Sequence, residues 1–147
     1  MTASPPRDIF DELALKSAQS GGAMPEMTAL FEQVFALPSW HFVMRGTPPD
    51  VHPYVAANAN YADGKHMVRA FTDTDRLLRF ARENNLLDAT GGAPVLTIPT
   101  KSVVAYLEQF ASSGVFGVWF NSDTGSEGFF GPLASLRAIE AHVAAAR

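Results

Sequence analysis

Asp123, Thr124, Gly125 and Ser126 spell the tetrapeptide in which aspartic proteases hold a catalytic carboxylate, so this is where acid–base chemistry is first sought. That chemistry needs two aspartates sharing one proton, because like charges about 3 Å apart resist ionising together. The sequence carries one copy, which could serve only in a homodimer. The residues leading into Asp123 are Asn121 and Ser122, where such an enzyme has an apolar strand. The spacing therefore points to an Asp/Gly turn. His41, His52, His66 and His142 could join Asp63 or Asp123 as metal ligands, but none has the i, i+4 or tight-loop spacing that preorganises a site. No catalytic residue, metal or cofactor is expected.

Two binding chemistries are left. Gly125, Gly128 and Gly131 recur every third residue just ahead of an expected helix start, where free N–H groups favour a phosphate or carboxylate. They lack the spacing of the dinucleotide and P-loop fingerprints, and glycines bracketing a turn account for them equally. The other chemistry is aromatic. Phe129 and Phe130 are adjacent, so an extended chain sends them to opposite faces. One reaches the core, and the other, with Trp40 or Trp119, is a candidate apolar patch for a protein partner or a second copy. His41 and Asn121 flank these aromatics and complete the interface candidates: Trp40, His41, Trp119, Asn121, Phe129 and Phe130.

The elements that position these residues follow from periodicity. Residues 8–19 read as an amphipathic helix with Ile9, Phe10 and Leu13 on its apolar side, stopped by Ser20, Gly21 and Gly22. Pro25 opens a second helix whose Met27, Leu30, Phe31, Val34 and Phe35 form a core-facing stripe. From Ser39 the period changes to 2, giving a strand with Trp40, Phe42 and Met44 on one face, and GTPPD then turns the chain. Residues 53–59 and 65–71 flank NYADG as an antiparallel hairpin, with Asp63 and Gly64 supplying positive φ. Thr72 or Asp73 caps a helix that Asn84 and Asn85 end. Residues 94–98 form a strand, and residues 99–113 form a helix closed by Gly114. Phe116, Val118 and Phe120 alternate with Gly117 and Trp119 in a strand apolar on both faces, as an interior strand requires. Pro132 suits the first turn of a terminal helix.

The sum is an α/β fold of the α+β type: a mixed, partly antiparallel sheet of about five strands with helices packed on it. Residues 1–22 are read as a helical appendage and 23–147 as a single domain. An apolar fraction of 47% with 18% charged residues is that of a globular protein. At a net charge of −4 with interspersed signs, no basic stripe offers itself to nucleic acid or to an anionic membrane. The absence of cysteine removes disulfides, thiol nucleophiles and thiolate metal sites. MTASPPRDIFDEL lacks the pattern of a secretory signal, and no apolar run is long enough to span a bilayer, so a cytoplasmic location is expected.

The order and spacing of several short motifs carry a family resemblance. LPSWHFV (37–43), PYV (53–55), AFTD (70–73) followed by RFAR (79–82), and GVWFN with GFFGPL together resemble the SseB family, bacterial proteins named for enhanced serine sensitivity. The resemblance covers roughly residues 36–146 and leaves out the first helix. It implies a fold without an agreed activity, catalytic set or cofactor. The family's recurrent positions matched here are Trp40, Phe71, Asp73, Phe120, Asn121, Phe129 and Pro132. The expected function is a non-catalytic binding or regulatory module acting through the aromatic surface on a protein partner or a second copy. The alternative is an amino-acid sensor or small enzyme linked to serine metabolism, with Asn121 to Glu127 as its polar loop.

Overall fold

In the computed structural model, residues 9–19, 24–57, 64–123 and 129–145 are described. The strand that begins at Ser39 is β1 (Ser39–Thr47), and both of its edges are used. Its first half pairs antiparallel with β5 (Val95–Pro99), Ser39 opposite Pro99 and Val43 opposite Val95. Its second half pairs with β2 (Asp50–Pro53), Met44 opposite Pro53 and Thr47 opposite Asp50. On its other flank, His41 and Phe42 face Phe71 and Ala70 of β4 (Met67–Phe71). The remaining strands are β3 (Val55–Ala56), β6 (Gly117–Phe120) and β7 (Phe129–Pro132).

Among the described residues seven strands stand where about five were expected, and the reasons are local. Residues 53–59 do not run as one strand. Tyr54 divides them, donating its N–H to the Val43 carbonyl and accepting from the Arg69 N–H. Consequently β2 belongs to β1, while β3 pairs antiparallel with β4 as the hairpin reading required. Gly64 has the expected positive φ of 67°. Asp63 lies outside the described residues. The second addition is β7: Phe129 to Pro132 pairs antiparallel with β6 instead of turning directly into a helix, so Pro132 ends a strand and the helix starts at Leu133.

The main path of the sheet runs β2-β1-β4-β6-β7, with β3 on β4 and β5 on β1. Among the described residues only β4 and β6 pair in parallel, Met67 opposite Gly117 through Ala70 opposite Phe120. The connection that makes this possible carries α3 (Thr74–Glu83), β5 and α4 (Thr100–Glu108). A parallel pair needs such a crossover.

One face of the sheet packs Trp40, Phe42, Val68, Ala70, Val118, Phe120 and Phe129 against α1 (Ile9–Gln19), α2 (Met24–Ala36), α4 and α5 (Leu133–Ala145). At its centre Phe120 and Phe129 stack at 4.9 Å, and Trp40 meets Phe120 edge-on at 4.8 Å. The Trp40 indole N–H is satisfied by the Val34 carbonyl at 2.9 Å. The other face buries Val43 and Phe71 beneath Leu77, Phe80 and Ala81 of α3. The first helix is no appendage: Phe10 and Ala14, one helical turn apart, are buried in the larger core.

A Cβ built on Gly131 would lie 2.9 Å from the Phe31 ring and 3.4 Å from Leu136, so the glycine is where α2 presses on the edge strand. Replacing it with alanine forces Phe31 to move, a cost of about 1–3 kcal/mol for an overpacked core. Gly131→Ala should lower the denaturant midpoint with an unchanged slope. A midpoint equal to that of the wild type would remove the packing explanation.

Candidate functional site

The polar residues collect where the parallel strands β4 and β6 end. AFTD closes β4 and FNSD closes β6, so the two tetrapeptides lie side by side. Asn121, at φ 56°, takes the left-handed conformation that asparagine tolerates, and this turns its amide back across the sheet. Its Oδ1 accepts from the Thr72 N–H at 3.1 Å and the Thr72 hydroxyl at 3.3 Å. Asp73 then caps α3, its carboxylate accepting from the Arg76 N–H at 2.8 Å.

Inside this junction lies a network of alternating charge. Arg76 donates to Asp11 on α1 at 2.6 Å and to Asp123 at 3.4 Å, and Arg79 donates to Asp123 at 3.0 Å. The Asp123 side chain is wholly buried. Burial pushes its carboxyl up to about 6, with the guanidiniums of Arg76 and Arg79 pulling the other way. The partners of Asp123 are thus cations, whereas an aspartic-protease carboxylate shares a proton with a second carboxylate. Asp123 with its two arginines forms an ionic joint tying α1, α3 and the chain just past β6. Thr124, Gly125 and Ser126 lie outside the described residues.

One residue pair further back, Arg69 stands opposite Trp119 in the parallel register. Its guanidinium lies over the Trp119 ring at 4.1 Å and over Phe80 at 5.6 Å. It donates to the Ala56 carbonyl at 3.2–3.3 Å and to the Ser122 hydroxyl at 3.2 Å. Beside it a polar-walled cavity of about 380 Å³ is lined by Tyr54, Ala57, Arg69, Phe80, Asn84 and Ser122 among others. A second, apolar hollow of about 430 Å³ lies across the edge of the sheet between α2 and α5, lined by Met27, Phe31, Phe130, Pro132, Ile139 and Val143 among others.

The expected interface residues are divided by this arrangement. Trp40, Trp119 and Phe129 are 0%, 2% and 4% exposed, and Asn121 is buried with them. They do not form an aromatic surface, because a sheet covered by helices on both faces buries both sets of alternating side chains. Phe130 alone among those aromatics is half-buried and reaches a groove. His41 is also half-buried, bonded through Nδ1 to the Thr97 hydroxyl at 3.0 Å. Burial holds its pKa below the usual value, against the pull of Asp73. Gly131 is explained by Phe31 packing on it, and Gly125 and Gly128 lie outside the described residues.

Periodicity passed over the charged residues Asp11, Arg69, Arg76 and Arg79 and the hydroxyl of Ser122 that accepts from Arg69. Two signals marked them. Arg69 interrupts MVRAF, an otherwise apolar strand, and Arg76 and Arg79 share a helix face at i, i+3. Among the described residues no three His, Asp or Glu side chains converge to hold a metal ion, and no helix is long and apolar enough to cross a membrane. No family model, curated protein or solved structure matches the chain.

The Asp123 environment sets a pH dependence. A carboxyl whose folded pKa is about 6, against an ordinary 3.8, adds stability that is complete below the lower value and is lost as pH rises through the higher one. The difference in unfolding free energy between wild type and Asp123→Asn should therefore shift by about 2–3 kcal/mol against the wild type between pH 4 and pH 7. Parallel stability curves for the two proteins would show that burial does not govern this carboxyl.

Proposed function

We propose that this protein is a non-catalytic binding module that holds an apolar segment of a protein partner in the groove between α2 and α5. The observation that carries this reading is the groove itself. It is walled by Met27 and Phe31 from α2 and by Ile139 and Val143 from α5, with Phe130 and Pro132 of β7 as its floor. Such a concave apolar surface can desolvate one bulky partner side chain, the arrangement from which interface hot spots draw their energy. Because β7 ends the sheet path, the groove sits at its margin rather than inside the molecule.

Two further features support the reading. The buried charges described above are neutralised by one another in a structural joint, which is a poor starting point for proton transfer. The SseB-like motifs suggest a bacterial, cytoplasmic family to which no reaction is tied, and their matched positions serve the fold here. Trp40, Phe71, Phe120 and Phe129 are core residues, Asp73 is a helix cap, and Asn121 joins two strand ends. The groove takes Phe130 and Pro132 from the GFFGPL motif, Pro132 being one of the matched positions, and its other walls come from α2 and α5 outside the motifs.

Ala138 is exposed and lines the groove from α5, so Ala138→Arg adds a charge there while leaving the core untouched. Peptides selected from a displayed random library for binding to the wild-type protein should bind Ala138→Arg at least tenfold more weakly, measured by calorimetry. Selected peptides that bind both proteins equally would sink the groove reading.

A further inference from the structure

We propose that the cavity beside Arg69 is a separate binding site for a small planar organic carboxylate. The site is built from β3 and its flanking residues, β4, α3 and its cap Asn84, Trp119 of β6, and Ser122 two residues past the end of that strand. It lies by the one parallel strand pair, and in open sheets ligands collect near the carboxyl ends of parallel strands. Its volume of about 380 Å³ falls in the range of small-molecule sites.

The chemistry of the walls selects the ligand class. Arg69, 6% exposed, brings a permanent positive charge to the wall. The Ser122 oxygen accepts from Arg69, which leaves its own O–H as a donor for a ligand. Asn84 spends one amide N–H on the Phe80 carbonyl at 2.8 Å and has a second to offer. A guanidinium, a hydroxyl hydrogen and an amide hydrogen make a wall of donors, and the complement is an acceptor-only anion. The proposal needs no vacant donor on Arg69, because Ser122 and Asn84 supply the hydrogen bonds and the guanidinium supplies the field. In the same lining the half-buried Tyr54 ring, edge-to-face with Phe80 at 5.9 Å, gives a flat apolar body a surface to lie against. A planar carboxylate satisfies both halves, whereas inorganic phosphate uses only the polar one.

The test is an NMR titration of the full chain at constant ionic strength with three probes: benzoate, its neutral isostere benzamide, and inorganic phosphate. Benzoate should give saturable shifts at Ala57, Asn84 and Ser122, with benzamide and phosphate each at least tenfold weaker. Ala57 is exposed at the cavity wall, so Ala57→Phe fills the space without entering the core and should weaken benzoate at least tenfold. Ala138→Arg, across the sheet edge in the apolar groove, should leave benzoate binding unchanged, which separates this site from the protein-binding groove. The proposal is overturned if benzoate gives no saturable shift, if benzamide binds equally, if phosphate binds equally, or if Ala57→Phe binds benzoate as the wild type does.

Discussion

A strand buried on both faces leaves a charged side chain little solvent, and β4 carries one in Arg69, 6% exposed at the wall of the cavity. Every residue of β4 and β6 is buried, so the guanidinium must be satisfied inside the protein. The solution is spread over the neighbouring elements: the indole face of Trp119 beneath it, the carbonyl of Ala56 on one side and the hydroxyl of Ser122 on the other. Each of these constrains something else. Trp119 fixes the register of β4 against β6, Ala56 holds the short β3 onto β4, and Ser122 anchors the chain as it leaves β6. An unsatisfied buried charge costs several kcal/mol, so these contacts are required by the strand's position rather than added to it.

The same requirement recurs at the strand ends. Arg76 is as buried as Arg69, and it is satisfied by Asp11 and Asp123 from opposite directions. A buried ion pair contributes less than its geometry suggests, because desolvation offsets the attraction. Its role here is specificity of position. Asp11 can reach Arg76 only if α1 lies where Phe10 and Ala14 also enter the core, so the ionic joint and the apolar contact select one placement of the first helix.

What the sequence made legible follows the local physics. The positive φ of Gly64, the Asp73 cap and the Asn84–Asn85 stop depend on neighbours within a few residues and are found where the sequence places them, whereas the helix expected over 99–113 ends at Glu108, with a separate 3-10 turn at Ala111–Ser113. The split at Tyr54 was not legible, because it depends on Val43 and Arg69, which are distant in sequence. The fate of Trp119 and Phe129 was hidden for a related reason. An apolar residue on a strand reads alike whether it is covered by a helix or left for a partner, and only the three-dimensional placement of α3 on one face and of α2 and α5 on the other decides it. The first helix looked detachable because its stripe is short, and the residue that ties it down, Asp11, reads as an ordinary exposed acid in a first turn.

The groove and the cavity are linked through a single row of the sheet. Arg69, Trp119 and Phe130 are successive register partners across β4, β6 and β7, with the cavity at the Arg69 end and the groove at the Phe130 end. Coupling between two sites needs an element with two arrangements that each ligand favours differently. In this row Trp119 is buried, and Arg69 is held by bonds to Ala56 of β3 and to Ser122 just past β6. A close-packed interior resists intermediate positions, so a ligand at either end meets the same rigid row. The row fixes where both surfaces lie without making one a switch for the other.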